Sequence, residues 1–281
     1  MNITDLGGHS GCKILLCESE NNEVFVRKIA ANKEYNNRLR LQAEKQRKYD
    51  NVELKTPKVL KDGYIGEVYY FDMEYVQGIT LAEYMSRIEI GKVRNIAERI
   101  IKSVVPTNLE FGEIDETIFV DKIDDLDTKL RDKRNPVIDE AITILKKHPW
   151  DSFICSPCHG DLTFENIIIK DNQLYLIDFL DSFYDCWILD VSTLLQDSQV
   201  LWSYRYDDEI NINTLIRLKV FRDVLMESLI QNVGDKAIEV YYALLLKLIR
   251  IYPYVTDDIT YEFLNKKTAA LIEIIKKEVV K

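Results

Sequence analysis

The sequence predicts an α+β fold, a small strand-rich region followed by a large helical one. Three observations carry this expectation. Apolar and polar residues alternate through much of the first quarter, and apolar residues recur at three- and four-residue spacing after Gly78. A single short strand pair near residue 170 interrupts the helices. The 281 residues suffice for a substantial core, and 47% hydrophobic with 30% charged residues is an ordinary globular balance.

Taken in order, Cys12–Glu18 and Glu23–Ile29 alternate and are joined by a Ser-Glu-Asn-Asn turn, the pattern of a β-hairpin. Lys33–Tyr49 reads as a strongly charged helix with Leu39, Ala43 and Gln46 on one face. Lys58–Leu60 and Glu67–Met73 resume the strand pattern, with Gly63 and Gly66 at the bend. Helices follow over Leu81–Ile88, Val93–Val105 and Val137–Lys147. Phe164–Ile169 and Gln173–Ile177 form the embedded strand pair, joined across Lys170-Asp171-Asn172. Leu189–Leu201, Ile212–Ile230, Lys236–Ile251 and Ile259–Glu278 complete the helical part. This order suggests an active site between two lobes, divided into residues 1–75 and 76–281.

Acids outnumber bases 47 to 37, a net charge of −10 that repels phosphate backbones and anionic lipid. Neither nucleic acid nor a membrane is therefore an expected partner. The longest apolar stretch, Tyr241–Leu246, is far too short to cross a bilayer. The first residues show no basic and apolar leader, and five cysteines are an odd number, so a cytoplasmic protein with reduced thiols is expected. Cys155 and Cys158 have CxxC spacing, but no second pair follows at zinc-site distance, so ordinary thiols are the expectation.

The chemistry concentrates in Cys158-His159-Gly160-Asp161-Leu162-Thr163-Phe164-Glu165-Asn166, an H-x-D-x-x-x-x-N pattern running into an apolar strand. Ile177-Asp178-Phe179 follows at the end of the second strand, so a hairpin can gather Asp161, Asn166 and Asp178 at one end. Amide and carboxylate oxygens suit a hard divalent cation shared with phosphates. Asp161 is then free to orient a hydroxyl and accept its proton during phosphoryl transfer.

These segments resemble the catalytic loop and metal-binding motif of the aminoglycoside phosphotransferase/choline kinase family, which shares its fold with protein kinases. Gly160 stands where protein kinases have Arg, and Leu180 where they have Gly; both departures favour small-molecule kinases. The resemblance implies a two-lobed fold, with 1–75 as nucleotide-binding lobe and 76–281 carrying the catalytic loop and acceptor site. It implies a kinase using ATP and Mg2+ on a small hydroxylated substrate, with Asp161 catalytic and Asn166 and Asp178 on the metal. Gly7-Gly8-His9-Ser10-Gly11 precedes the first hairpin strand where the family has its phosphate-covering loop, implicating Gly8, Ser10 and Gly11.

The resemblance also places a phosphate-pairing cation on Val24-Phe25-Val26-Arg27-Lys28. Arg27 and Lys28 point to opposite faces, and Lys28 is favoured because Val26 would share its face over the adenine. Glu44 is expected to pin that cation, with Glu34 as competitor at the helix start. In the hinge-like segment Asp72-Met73-Glu74-Tyr75-Val76-Gln77-Gly78, the backbones of Glu74 and Val76 are expected to meet the adenine edge. Asp190 matches a residue that braces the catalytic loop, and His159 is expected to brace rather than act as a base. His9 and His148 are expected in surface or loop roles. Trp187, Trp202, Tyr204 and Tyr206, with Asp181, Asp185, Asp207 and Asp208, are candidates for the acceptor side, and amino alcohols, sugars and aminoglycosides all remain open. The acidic segment Glu110–Asp127 is expected to be a solvated face. A regulatory module without phosphoryl transfer and, less favoured, a protein kinase are the alternative readings.

Overall fold

The computed structural model describes residues 2–7, 11–106, 115–151 and 154–279. They divide into two compact units. One comprises Met1–Leu81, His159–Asp161 and Glu165–Ser182; the other comprises Ala82–Cys158, Leu162–Phe164 and Phe183–Lys281.

The first unit holds every strand of the described residues: β1 (Asn2–Asp5), β2 (Lys13–Glu18), β3 (Val24–Ile29), β4 (Leu54–Lys55), β5 (Val59–Ile65), β6 (Val68–Glu74), β7 (Ile79–Thr80), β8 (Ile167–Lys170) and β9 (Gln173–Leu176). Helix α1 (Asn36–Lys48) lies between β3 and β4 in sequence. An antiparallel sheet runs β1-β2-β3-β6-β5, and the expected hairpin is its β2–β3 pair. Leu39, Gln42, Ala43 and Gln46 recur at helical spacing and are buried. Leu39 and Ala43 join Val26, Phe71 and Met73 in one apolar cluster, which docks the helix on the sheet.

A second sheet, β4-β9-β8-β7, explains why the units do not divide at residue 75. Ile79 pairs with Ile169 and Leu54 with Leu174, so the short strands that follow α1 and the hinge-like segment clamp the late hairpin. Hydrogen bonding thus ties residues 165–182 to the first unit. Gly78 permits the pairing, since a Cβ there would lie 2.4 Å from the Ile169 carbonyl oxygen. The hairpin itself starts later than expected. Phe164–Asn166 are a 3-10 turn, because the Asn166 side chain folds back onto the Asp161 carbonyl rather than extending.

The second unit is helical: α2 (Leu81–Arg87) begins at its edge, followed by α3 (Ile90–Val104), α4 (Thr117–Lys129), α5 (Pro136–Lys147), α6 (Trp187–Ser198), α7 (Ile212–Val233), α8 (Glu239–Ile251) and α9 (Asp258–Val279). All twelve residues of α6 are buried. No helix among the described residues is long and apolar enough to cross a membrane. Helix α4 turns Phe119, Ile123 and Leu126 inward, while Asp124 and Asp127 pair with Lys146 and Asp125 with Lys129. The described part of the acidic segment is thus an ion-paired helix face.

His148 lies in the connection after α5, the loop placement among the two expected, but is not a surface residue. Its side chain is buried, its Nε2 lies 2.7 Å from Glu239 Oε2, and its ring stacks on Tyr242. The sequence hides this because the carboxylate partner lies on α8, 91 residues away.

Candidate active site

The H-x-D-x-x-x-x-N loop is held by a ring of hydrogen bonds within the first unit. His159 Nε2 bonds the Ile177 carbonyl at 2.7 Å, and its Nδ1 accepts the Asp161 N–H at 3.2 Å. A carbonyl only accepts and an amide N–H only donates, so these partners assign the Nε2–H tautomer. Burial pushes the His159 pKa down to about 4, so the ring is neutral near pH 7. It braces the loop, as expected. The Leu180 N–H donates back to the His159 carbonyl at 3.1 Å. Asn166 Nδ2 donates to the Asp161 carbonyl at 2.8 Å, and the Ile177 N–H donates to the Asn166 carbonyl at 3.0 Å. Three stretches of chain, 159–161, 166 and 177–180, are thereby tied together.

Gly160 makes that closure possible. Its φ is +91°, and a Cβ would lie 2.3 Å from Ser182 Oγ and 2.9 Å from the Leu180 carbonyl oxygen. A side chain between His159 and Asp161 would push the two segments apart, which gives the Gly160 departure from H-R-D a steric reason.

Strand register separates the two cations of β3. Arg27 lies opposite Asp72 on β6 and forks onto its carboxylate at 2.7 and 2.8 Å, with its guanidinium 4.5 Å over the Tyr70 ring. Lys28, on the other face, is buried and bonds Asp178, with Gln42 Oε1 at 3.2 Å. Asp178 sits at φ +61°, a left-handed conformation that Asp tolerates better than most residues.

Glu44 does not pin Lys28. It pairs with Arg40 one turn earlier on the same helix, and Gln42 occupies the place beside the lysine. The reason is helix phase: Glu44 is two residues from Gln42, about 200° round the axis. Packing of Leu39 and Ala43 against the sheet turns Gln42 inward and Glu44 out.

Lys28 and Asp178 line a cavity of about 120 Å³ that lies wholly among first-unit residues. Ile14, Val26, Met73 and Ile177 supply apolar walls, and Glu74 and Val76 also line the cavity. An apolar cavity lined also by a lysine and a carboxylate suits a nucleobase with phosphates. The Glu74 N–H already donates to the Lys58 carbonyl at 3.0 Å, and the Lys58 N–H donates to the Glu74 carboxylate at 3.0 Å. A ligand therefore cannot take that N–H without breaking the Lys58 bond. Gly11 is exposed just before β2, whereas Gly8 and Ser10 lie outside the described residues.

The donor set fits a weakly chelated hard cation. Asn166 uses its Nδ2 on the loop, which leaves Oδ1 as its acceptor, and Asp178 is bonded to Lys28 through Oδ1. Two protein oxygens are what Mg2+ takes when phosphates and water complete its shell. Consistent with that, no group of three or more His, Cys, Asp or Glu among the described residues forms a metal cage.

In the second unit, Asp190 is buried in the first turn of α6. A residue missed from sequence, Asp197, bonds the loop segment there. Fully buried, it accepts the Phe164 N–H at 2.5 Å and both the Ser203 N–H and Oγ–H at 3.1 and 2.7 Å. An aspartate near the end of an otherwise apolar helix was the available signal. Among the acceptor-side candidates, Trp187 and Tyr204 are buried, and Trp202 and Tyr206 stack on the Arg205 guanidinium at 4.3 and 4.5 Å.

Residues 108–220 match the phosphotransferase enzyme family. The match contains Asp161, Asn166 and Asp178 and bears out the family resemblance, while the fold of the whole chain is supplied by solved structures. A choline kinase from Cryptosporidium parvum is 12% identical, with a TM-score of 0.60 over 99% of this chain and 90% of its own. An ADP-bound aminoglycoside phosphotransferase is 18% identical, with a TM-score of 0.53 over 97% and 92%. An amicoumacin kinase in complex with AMP-PNP, Ca2+ and amicoumacin is 14% identical, with a TM-score of 0.53 over 96% and 88%. The chain thus has the α+β, protein kinase-like fold expected of it. No curated protein sequence matches the chain significantly.

Proposed function

We propose that this protein transfers the γ-phosphoryl group of ATP to a hydroxyl of a small metabolite, with Mg2+. The observation that carries the reading is one bonded assembly, Lys28–Asp178 beside the stitched Asp161–Asn166 loop, bordering an apolar cavity. Adenine lies between Val26 and Ile177, with the Glu74 carbonyl and the Val76 N–H as its edge contacts. Gly8, Ser10 and Gly11 close over the phosphates.

Lys28 Nζ, a three-hydrogen donor that bonds Gln42 and Asp178, holds the α- and β-phosphates. Asn166 Oδ1 and Asp178 would hold the metal, which neutralises phosphate charge when bound. Asp161 orients the acceptor hydroxyl and takes its proton as the new O–P bond forms and the bond to the β-phosphate oxygen breaks, releasing ADP. Fold relatives support the nucleotide, since the amicoumacin kinase holds AMP-PNP with Ca2+ and the aminoglycoside phosphotransferase holds ADP. Because Trp202 and Tyr206 already stack on Arg205, a hydroxylated substrate without a quaternary ammonium group is the better fit.

Incubation with γ-labelled ATP, Mg2+ and a panel of amino alcohols, sugars and aminoglycosides tests this. Phosphorylated product is expected from at least one class, and Asp161→Asn should lower kcat roughly 10²–10⁴-fold while nucleotide still binds. Nucleotide binding with no transfer to any acceptor would favour a regulatory module. Activity of Asp161→Asn within a few-fold of wild type would remove Asp161 from its role.

A further inference from the structure

The charges around the cavity say more about which form of the nucleotide enters it. Helix α1 carries Arg38, Arg40, Lys45, Arg47 and Lys48 against a single acid, Glu44, and that acid is turned away onto Arg40. The residues it turns inward are Gln42 and Gln46, both buried. Lys45 reaches the Leu180 carbonyl at 3.1 Å, two residues beyond Asp178.

The two amides are fixed in orientation. Gln42 Nε2 lies 3.4 Å from the Tyr35 hydroxyl, which aims Oε1 at Lys28. Gln46 Nε2 donates to the Pro57 carbonyl at 2.7 Å. Lys28 therefore receives a dipole from the helix and a full opposing charge only from Asp178. Counting formal charges beside the catalytic loop, Lys28 and Lys45 balance Asp161 and Asp178, while Glu74, which also lines the cavity, accepts the Lys58 N–H. A carboxylate at position 42 would leave this set one unit negative.

We infer that Gln42 makes this an anion-accepting site, able to take a nucleoside diphosphate or triphosphate before any metal arrives. This rests on the nucleotide reading above. A metal-free polyphosphate carries several negative charges, and in a partly buried site each fixed charge nearby acts strongly on it. With no helix carboxylate competing for Lys28, the polyphosphate can displace the half-exposed Asp178 and pair with the lysine. The released Asp178 is then free for the cation. Metal binding thus follows nucleotide binding.

Calorimetry with ADP, in excess EDTA and again in excess Mg2+, tests the order. The wild type should bind metal-free ADP within about tenfold of the Mg2+-loaded affinity, and Gln42→Glu should weaken metal-free binding about tenfold or more while changing the loaded form about threefold or less. Gln42→Ala, which removes the hydrogen bond without adding charge, should leave the ratio of the two affinities near wild type. Lys45→Gln should widen the ratio without burying a new charge, so the inference remains testable if Gln42→Glu folds poorly in a thermal melt. Equal ratios in wild type, Gln42→Glu and Lys45→Gln would overturn the inference while leaving the kinase reading intact. So would a wild type that binds ADP only with Mg2+. A wild type that binds ADP in neither condition would overturn the nucleotide reading itself.

Discussion

Asp178 and Asp197 are both aspartates that anchor a segment of their own unit, yet their environments differ in one decisive respect. Asp197 is fully buried, and its two oxygens receive three protein hydrogens, from Phe164 N–H, Ser203 N–H and Ser203 Oγ–H. Asp178 keeps a side chain 41% exposed, takes a left-handed backbone, and is bonded to Lys28 through one oxygen. Hydrogen-bond saturation makes the first a structural strut, and the partly unsatisfied second can exchange partners. Residue type and helix or strand position alone do not separate them.

The same substitution should therefore give opposite results at the two positions. Asp197→Asn turns an amide NH2 toward groups that are themselves donors, and should cost about 3 kcal/mol in urea unfolding. Asp178→Asn keeps an oxygen for Lys28, so stability should change by about 1 kcal/mol or less while the enhancement of ADP binding by Mg2+ is lost. Similar stability losses for both variants would erase the distinction.

His159 sharpens it through pH. Its folded pKa is depressed to about 4, so between about 6.5 and 4 the unfolded chain binds a proton that the native ring refuses. Stability should fall as pH drops through that window, by about 3 kcal/mol in total, and level off below it. Urea titrations across that range should show this slope in wild type and a flatter one in His159→Gln. Parallel slopes would mean that other groups govern acid sensitivity.

A smaller effect is expected from Gly160→Ala, on the order of 1–3 kcal/mol, because the added Cβ meets Ser182 and Leu180 at a strained φ. Transfer rate should fall with it, since the loop carries Asp161. The smallest should come from Arg27→Ala, about 1–2 kcal/mol of stability from the unpaired Asp72, with the KM for ATP unchanged. Lys28→Ala should do the reverse, raising that KM and lowering kcat. A kinetic defect in Arg27→Ala would contradict the assignment of the two faces of β3.

Much of this protein could be read from its sequence because the relevant physics is local. The β2–β3 hairpin follows from alternation around a short polar turn, and the helices after residue 81 follow from their apolar spacing. His159, Asp161, Asn166 and Asp178 span only twenty residues, and bonds within that span close the loop, so their motif carried the family resemblance without knowledge of the fold. The tertiary structure decided what depends on distant partners. Whether Gln42 or Glu44 meets Lys28 is a matter of helix rotation, set by Leu39 and Ala43 seating on the sheet. Whether the late hairpin joins the first unit depends on β4 and β7, two-residue strands too short to leave a pattern. Asp197 escaped notice for a related reason: α6 is buried on every side, so no polar face marks Asp197 as a partner of the loop.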